Sequence, residues 1–314
     1  MQIATTIAND WPTDQYQLLD SGAEYKLERF GDYILARPDP QAVWQPRLSQ
    51  AEWDQADATF SRERESNAIP TPANNSAAPP PSAHWTTRHS LPASWHMHWQ
   101  GLTLSTRLSP FKHTGIFPEQ SAHWVWMRQC IQQAPDRELR LLNLFGYTGV
   151  ASLVAAQEGM QVTHVDASPK TIEWARDNQE LSGLTAAPIR WITDDSLKFV
   201  QREARRGSRY DMIVMDPPAF GRGPKGEVWK FETSLPQLLA ACRDILSDRP
   251  IGLLLNSYSV RASSLMLGNL LADMLVNQRR PGTITVGELA LPEAHSQRLL
   301  STAIYARWTL GTEA

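Results

Sequence analysis

Cysteine is nearly missing from this chain. Its 314 residues include two, Cys130 and Cys242. Two thiols exclude a disulfide scaffold and a cysteine-rich zinc module. No window reaches ~18 consecutive apolar residues, the length a membrane-spanning helix needs. The first residues, Met1 to Asp20, lack both a basic stretch and an apolar stretch, so no signal peptide is expected. An excess of charge of one sign is missing too. Lys and Arg number 30 and Asp and Glu 33, a net of −3. A strongly basic coat is excluded, though a local basic patch is not. G-x-G-x-x-G is absent, which argues against a nicotinamide dehydrogenase. His96 and His98 alternate without acidic or cysteine partners, so no metal site is expected. These absences predict a soluble, cytoplasmic protein.

What the chain does have is tryptophan and proline, 12 and 22 of them. Six of the Trp fall in the first 99 residues, and five of the Pro lie between Pro70 and Pro81. The length exceeds the ~100–200 residues usual for one domain, so a large unit plus a smaller one is expected. Residues 1–106 read as a small, Trp-rich, β-containing region, with a Pro-rich loop or linker at 66–82. Alternation at Trp95, Met97, Trp99, Leu102 and Leu104 fits paired strands.

Residues 107–314 change rhythm. Apolar runs at Leu141–Phe145, Val162–Val165, Ile189–Ile192, Met212–Met215, Gly252–Leu255, Ile284–Leu289 and Ala303–Trp308 predict seven strands. Helical patterns lie between them at Val150–Glu158, Pro169–Leu181, Ser196–Arg205, Leu235–Leu246 and Ser263–Asn277. The fold expected is α/β, a Rossmann-like seven-stranded doubly wound sheet. The last two strands are joined by Pro292–Leu299 alone, too short for a parallel crossover, so the last strand should be antiparallel.

Three strand ends carry candidate chemistry. Arg140 to Val150 reads strand, turn, helix, with Gly146 and Gly149 letting backbone approach a ligand at a helix N-terminus. Asp166, twenty residues past Gly146, sits where doubly wound folds hold ribose hydroxyls. The competing reading is a helix cap, with Ser168. Asp194 and Asp195 end the third strand and suit an adenine amino group or, again, a cap. Asp216 precedes Pro217 and Pro218, which places a carboxylate on a rigid turn at the ligand-binding edge of the sheet.

With these segments in view, the chain resembles class I S-adenosylmethionine-dependent methyltransferases, and within them the bacterial ribosomal-RNA large-subunit methyltransferases of the I and K type. The matching segments are His113 to Gln120, Asn143-Leu-Phe-Gly-Tyr-Thr-Gly149, Val165-Asp-Ala-Ser168, Asp194-Asp195 and Asp216-Pro-Pro218, with Gly287-Glu-Leu and Ser301–Trp308 beyond. The resemblance implies S-adenosylmethionine as cofactor. Leu144, Phe145, Gly146, Tyr147, Thr148 and Gly149 would wrap its methionine end. Asp166, with Ala167 and Ser168, would hold the ribose, and Asp195, ahead of Asp194, the adenine amino group. Phe117 and Gln120 would close the pocket. Asp216 and Pro217 would flank the sulfonium and the acceptor, and Phe220 would stack on the acceptor. Asn143 departs from the acid that many class I enzymes have.

Methyl transfer from sulfur is an in-line displacement that needs alignment above all. Cytosine carbon-5 additionally needs a cysteine nucleophile. Relatives acting there carry Ser-Cys-Ser after the fifth strand, where this chain has Asn256-Ser-Tyr258-Ser. Cys130 and Cys242 fall inside predicted helices and read as structural. The expected acceptor is therefore a nitrogen or oxygen, in RNA and foremost ribosomal RNA, without a covalent cysteine intermediate. Loop 219–230, with aromatic and basic residues, and the N-terminal region would meet the RNA. Arg202, Arg205, Arg206 and Arg209 share a helix face and form a second basic cluster, which Glu203 and Asp211 can neutralise. A small-molecule or protein methyltransferase and a non-catalytic cofactor-binding protein stay open. The N-terminal 110 residues hold 8 basic against 12 acidic residues, which favours the first of these. Oligomeric state is open.

Overall fold

A computed structural model describes residues 1–61, 84–134, 136–258, 260, 262–276 and 281–311. The expected Pro-rich loop at 66–82 lies outside the described residues.

The N-terminal part is made of β1 (Gln2–Ile7), β2 (Tyr16–Gly22), β3 (Tyr25–Phe30), β4 (Tyr33–Pro38), α1 (Gln50–Trp53), β5 (Ala58–Ser61), β6 (His84–Thr87), β7 (Trp95–Trp99) and β8 (Leu102–Thr106). Next come a 3-10 turn (Pro118–Gln120), α2 (Ser121–Gln132), β9 (Arg140–Leu144), α3 (Val150–Gln157), β10 (Gln161–Asp166), α4 (Pro169–Leu181), β11 (Ile189–Thr193), α5 (Ser196–Arg205) and β12 (Met212–Met215). The chain then adds β13 (Phe220–Arg222), β14 (Val228–Lys230), α6 (Phe231–Arg243), β15 (Gly252–Ser257), α7 (Ser264–Leu275), β16 (Gly282–Pro292) and β17 (Leu299–Leu310).

The seven expected strands form one sheet, and β1 joins it as an eighth. The order is β1-β16-β17-β15-β12-β9-β10-β11. β17 runs antiparallel to both of its neighbours, and the other pairs are parallel. Central strands β12 and β15 are buried at every residue. That is why they read as unbroken apolar runs: helices cover both faces of a parallel sheet. Caps set the helix starts. Ser168, Asp195 and Ser263 accept from the backbone N–H of Thr171, Lys198 and Met266. α6 starts four residues before the expected Leu235. Phe231, Leu235, Leu238, Leu239 and Cys242 form one buried stripe that extends the helix back through Pro236.

β1 reaches the far edge because Gly287 has no side chain. A Cβ there would lie 1.5 Å from the Ala4 carbonyl oxygen. Three of the tryptophans fill the seam between the N-terminal strands and the sheet. Trp11, Trp99 and Trp124 pack as a trio with ring centroids 5.0–6.2 Å apart. Trp11 Nε1 donates to Pro118 O at 2.9 Å and Trp99 Nε1 to Asp10 at 2.8 Å. β7, β8, α2 and α3 thus share one hydrophobic core, while α5, α6 and α7 bury the other face of the sheet.

Segment 219–230, expected as a loop, is a β-hairpin. Phe220 pairs with Lys230, Gly221 with Trp229 and Arg222 with Val228. Trp229 is buried, its ring 4.8 Å from Phe145 and its Nε1 donating to Pro218 O at 2.6 Å. One alternate face of the hairpin is thereby tied to the core.

Candidate active site

A cleft opens at the C-terminal ends of β9, β12 and β15. Its walls include Phe117, Gln120, Asn143, Phe145, Gly146, Tyr147, Thr148 and Asp216, all singled out from the sequence. Gly115, Trp124, Val150, Ala151, Val214, Met215, Leu254 and Asn256 complete it.

The turn after β9 is strained. Phe145 and Tyr147 adopt left-handed φ of 55° and 51° on either side of Gly146. Such conformations cost free energy and persist only when their surroundings hold them. Here Tyr147 N donates to Asp166 Oδ2 at 3.0 Å, and Gly146 N to Val165 O at 3.1 Å. Thr148 donates to Gly115 O. Gly149, at φ 87°, turns the chain into α3. At Gly146 a Cβ would lie 2.3 Å from His164 Cε1, so the loop sits directly on that ring.

Asp216 occupies the opposite wall. Its Oδ1 accepts from Asn256 Nδ2 at 3.0 Å and its Oδ2 from Gln120 Nε2 at 3.2 Å. Gln120 also reaches the Tyr258 hydroxyl at 3.1 Å, and His123 Nε2 meets Asn256 Oδ1 at 3.2 Å. Burial pushes the Asp216 carboxyl up to about 7, with the nearby Glu119 charge adding to the rise. Burial likewise holds Tyr258 well above, and His123 well below, their usual ranges. Phe117 covers this network, its ring 5.1 Å from Tyr258 and 5.4 Å from Tyr147. The arrangement presents a carboxylate poised near neutrality beside aromatic rings. It suits a ligand with a positive centre and an acceptor carrying a proton.

The remaining sequence candidates lie around the cleft. The Leu144 side chain enters the core on the α5–α7 face. Asp166 braces the loop through Tyr147 N and accepts Ser168 N at 2.9 Å, and burial raises its pKa. Ala167 lies between Asp166 and Ser168, and Ser168 caps α4. Asp195 caps α5, while Asp194 pairs with Arg202. Pro217 is buried, and Phe220 lies 57% exposed on the outer face of the hairpin. Of the arginine cluster, Arg202 is taken by Asp194 and Arg206 by Glu203 at 2.9 Å; Asp211 pairs instead with Arg137. Sequence reading missed Asn256, Tyr258, Glu119 and His123 as site residues. Asn256 had a signal: it is the polar residue ending an apolar strand at the ligand-binding edge.

The profile of the S-adenosylmethionine-dependent methyltransferase family matches residues 74–255. Among solved structures, a SAM-dependent methyltransferase from Agrobacterium tumefaciens is 42% identical with a TM-score of 0.86, covering 98% of this chain and 93% of its own. A Streptococcus mutans protein at 15% identity and TM-score 0.67, covering 94% and 75%, shares the fold. Ribosomal RNA large subunit methyltransferase I of Klebsiella pneumoniae is 38% identical over 154 residues, 49% of this chain and 34% of that protein. Ribosomal RNA large subunit methyltransferase K/L of Pseudoalteromonas translucida is 31% identical over 163 residues, 51% of this chain and 22% of that protein. The chain spans about a third or less of the length of these two curated relatives.

Proposed function

The chain belongs to the S-adenosylmethionine-dependent methyltransferase family, and on that premise we propose that it methylates a nitrogen or oxygen of RNA, ribosomal RNA foremost, without a covalent cysteine intermediate. The residues fit the cofactor. Gly146 lets the loop lie flat on His164 so that its backbone lines the cleft, Asn143 and Asp216 offer oxygens, and Phe117 and Tyr147 offer aromatic surface. Phe145 to Thr148 would hold its methionyl part, and Asp166, at the end of β10, its ribose. Bound there, S-adenosylmethionine supplies an electrophilic methyl group on sulfur.

The observation that carries the acceptor reading is Asp216, fixed by Gln120 and Asn256. A carboxylate held at this wall accepts a hydrogen bond from an N–H or O–H acceptor and takes its proton as the methyl arrives. The apolar walls exclude water, and Phe117 lies over the network. Support for RNA comes from the hairpin. Phe220, Arg222, Val228 and Lys230 share its exposed face, starting four residues from Asp216. An aromatic and two cations on one rigid face suit a stacked base and its phosphates. The names of the curated relatives point the same way. Among the described residues no helix is long and apolar enough to cross a membrane, in keeping with a cytoplasmic enzyme.

Tritium transfer from labelled cofactor into total RNA and total protein of a deletion strain tests the reading. Counts are expected in large-subunit RNA; counts confined to protein or to small molecules would overturn it. The cysteines offer a second check. Both thiols are buried, and burial pushes Cys130 up to about 12 and Cys242 higher still, so neither is a ready nucleophile. Replacing both by serine is expected to keep turnover within about twofold while costing ~1–3 kcal/mol of stability for each buried hydroxyl. A folded double variant without turnover would reverse the acceptor assignment.

A further inference from the structure

Beneath the Gly146 turn lies a buried polar chain of which one member, Asn143, lines the cleft. Asn143 on β9 and His164 on β10 are direct cross-strand partners. Ser152, in the first turn of α3, lies between their side chains. Asn143 Nδ2 donates to Ser152 Oγ at 3.0 Å, and Ser152 Oγ meets His164 Nδ1 at 3.0 Å. All three are buried, Asn143 at 4% exposure and the other two at none. The His164 ring is wedged between Gly146 and Trp191, whose ring centroid is 4.7 Å away. Its surroundings keep the imidazole neutral, since burial pushes it down to about 3.

We propose that Ser152 and His164 are positioning residues that set which end of the Asn143 amide faces the cleft, so that its oxygen receives the α-ammonium of the cofactor. The inference rests on the cofactor reading above. An asparagine amide has one donor end and one acceptor end. With Ser152 giving its hydroxyl proton to His164 Nδ1, Oγ can only accept from the amide, so the donor end is committed to Ser152. The acceptor end is what remains, and Asn143 lines the cleft. A neutral oxygen in a buried wall selects an N–H donor, and a cationic one most strongly. Asn143 is also the cross-strand partner of Val214, two residues before Asp216. It thus sits on the strand between the Asp216 and Asp166 strand ends, two positions back from each. The ammonium belongs to the methionyl part of the cofactor, next to the sulfur; the adenine amino group lies beyond the ribose. An amide left free to turn presents its own NH2 to that ammonium half the time, which is repulsive.

Two ligands separate this role from general support of the fold. S-adenosylhomocysteine carries the ammonium; methylthioadenosine keeps the adenosine and sulfur but lacks it. Calorimetry on the full chain should show Ser152→Ala weakening S-adenosylhomocysteine about tenfold while methylthioadenosine stays within about twofold, the size of one hydrogen bond to a charged group. Asn143→Asp should tighten S-adenosylhomocysteine relative to methylthioadenosine by about three- to tenfold, because a carboxylate then faces the cation. Melting curves report whether each variant is folded, and if Ser152→Ala is not, the affinity ratio of Asn143→Asp decides alone. Equal changes for both ligands would overturn the proposal. A wild-type chain that binds neither ligand would instead overturn the cofactor reading.

Discussion

The Asp216→Asn variant is expected to transfer methyl groups about 10²-fold more slowly than the wild type, and yet to be the more stable protein at pH 8. Both effects come from one carboxyl. In the native cleft its pKa is raised to about 7; in the unfolded chain it is about 3.9. Below pH ~4 both states hold the proton, and native stability has its full value. Between ~4 and ~7 the unfolded chain releases the proton that the fold retains, so stability falls as pH rises and the loss is complete above ~7. Three units would amount to ~4 kcal/mol. Solvent reaching the half-buried carboxyl screens part of this, so ~1–3 kcal/mol is expected. An asparagine amide resembles the protonated acid in having one acceptor and one donor end, and it cannot ionise. Wild type and variant should therefore melt alike near pH 4 and diverge by pH 8, with the variant higher. In the wild type, transfer should climb through about pH 7 as the carboxylate forms. A variant keeping more than a tenth of the rate, or melting curves that stay parallel across pH, would rule this account out.

Gly146→Ala is the second large effect, and it acts on both stability and binding. The new methyl group would meet His164 at 2.3 and 2.5 Å and Asn143 Nδ2 at 2.9 Å. Neither neighbour has room to retreat. His164 is held by Ser152 and Trp191, and Asn143 by Ser152. The adjoining Phe145 and Tyr147 already occupy left-handed conformations and have no slack to offer. Overpacking of this kind costs ~1–3 kcal/mol. Because the strain can be relieved only by moving the loop, cofactor affinity should fall by more than about tenfold. Gly159→Ala is the control. Gly159 has a left-handed φ, 85°, which Gly146 does not, but nothing lies within 4 Å of its Cβ position. It should lose about 1 kcal/mol to backbone strain and bind the cofactor normally. Thermal melting and calorimetry with S-adenosylmethionine read both effects, and equal affinities for the two variants would show that the loop does not depend on this packing.

Local pattern carried the reading of the sheet a long way. α4, α5 and β12 have the bounds their periodicity implies, because each start is marked by a cap or by a switch between period 3.6 and an apolar run. The turn at Asn143 to Gly149 and Asp216-Pro-Pro were visible for the same reason: glycine and proline act on backbone next to them in the chain. Capping by Asp195 was one of two readings that its position allowed, and the observed bond to Lys198 N shows that it does cap α5.

Residues brought together across long stretches of chain were decided by the tertiary structure. β1 pairs with β16 nearly three hundred residues away, with Gly287 as the one local trace of that contact. Trp11, Trp99 and Trp124 stood out as a compositional excess, and their packing made them the seam of the molecule. Glu119, Gln120, His123, Asp216, Asn256 and Tyr258 come from three separate segments, so no spacing could signal their network. Phe220 and Trp229 looked equivalent as loop aromatics, and a hairpin of alternating faces sent one outward and buried the other. What the chain determined by itself is what neighbouring residues impose on one another through backbone sterics, caps and hydrophobic period. The raised acidity limit of Asp216, the seating of Gly146 on His164 and the direction of the Asn143 amide exist only after folding. Each depends on desolvation or contact by atoms that the sequence leaves far apart.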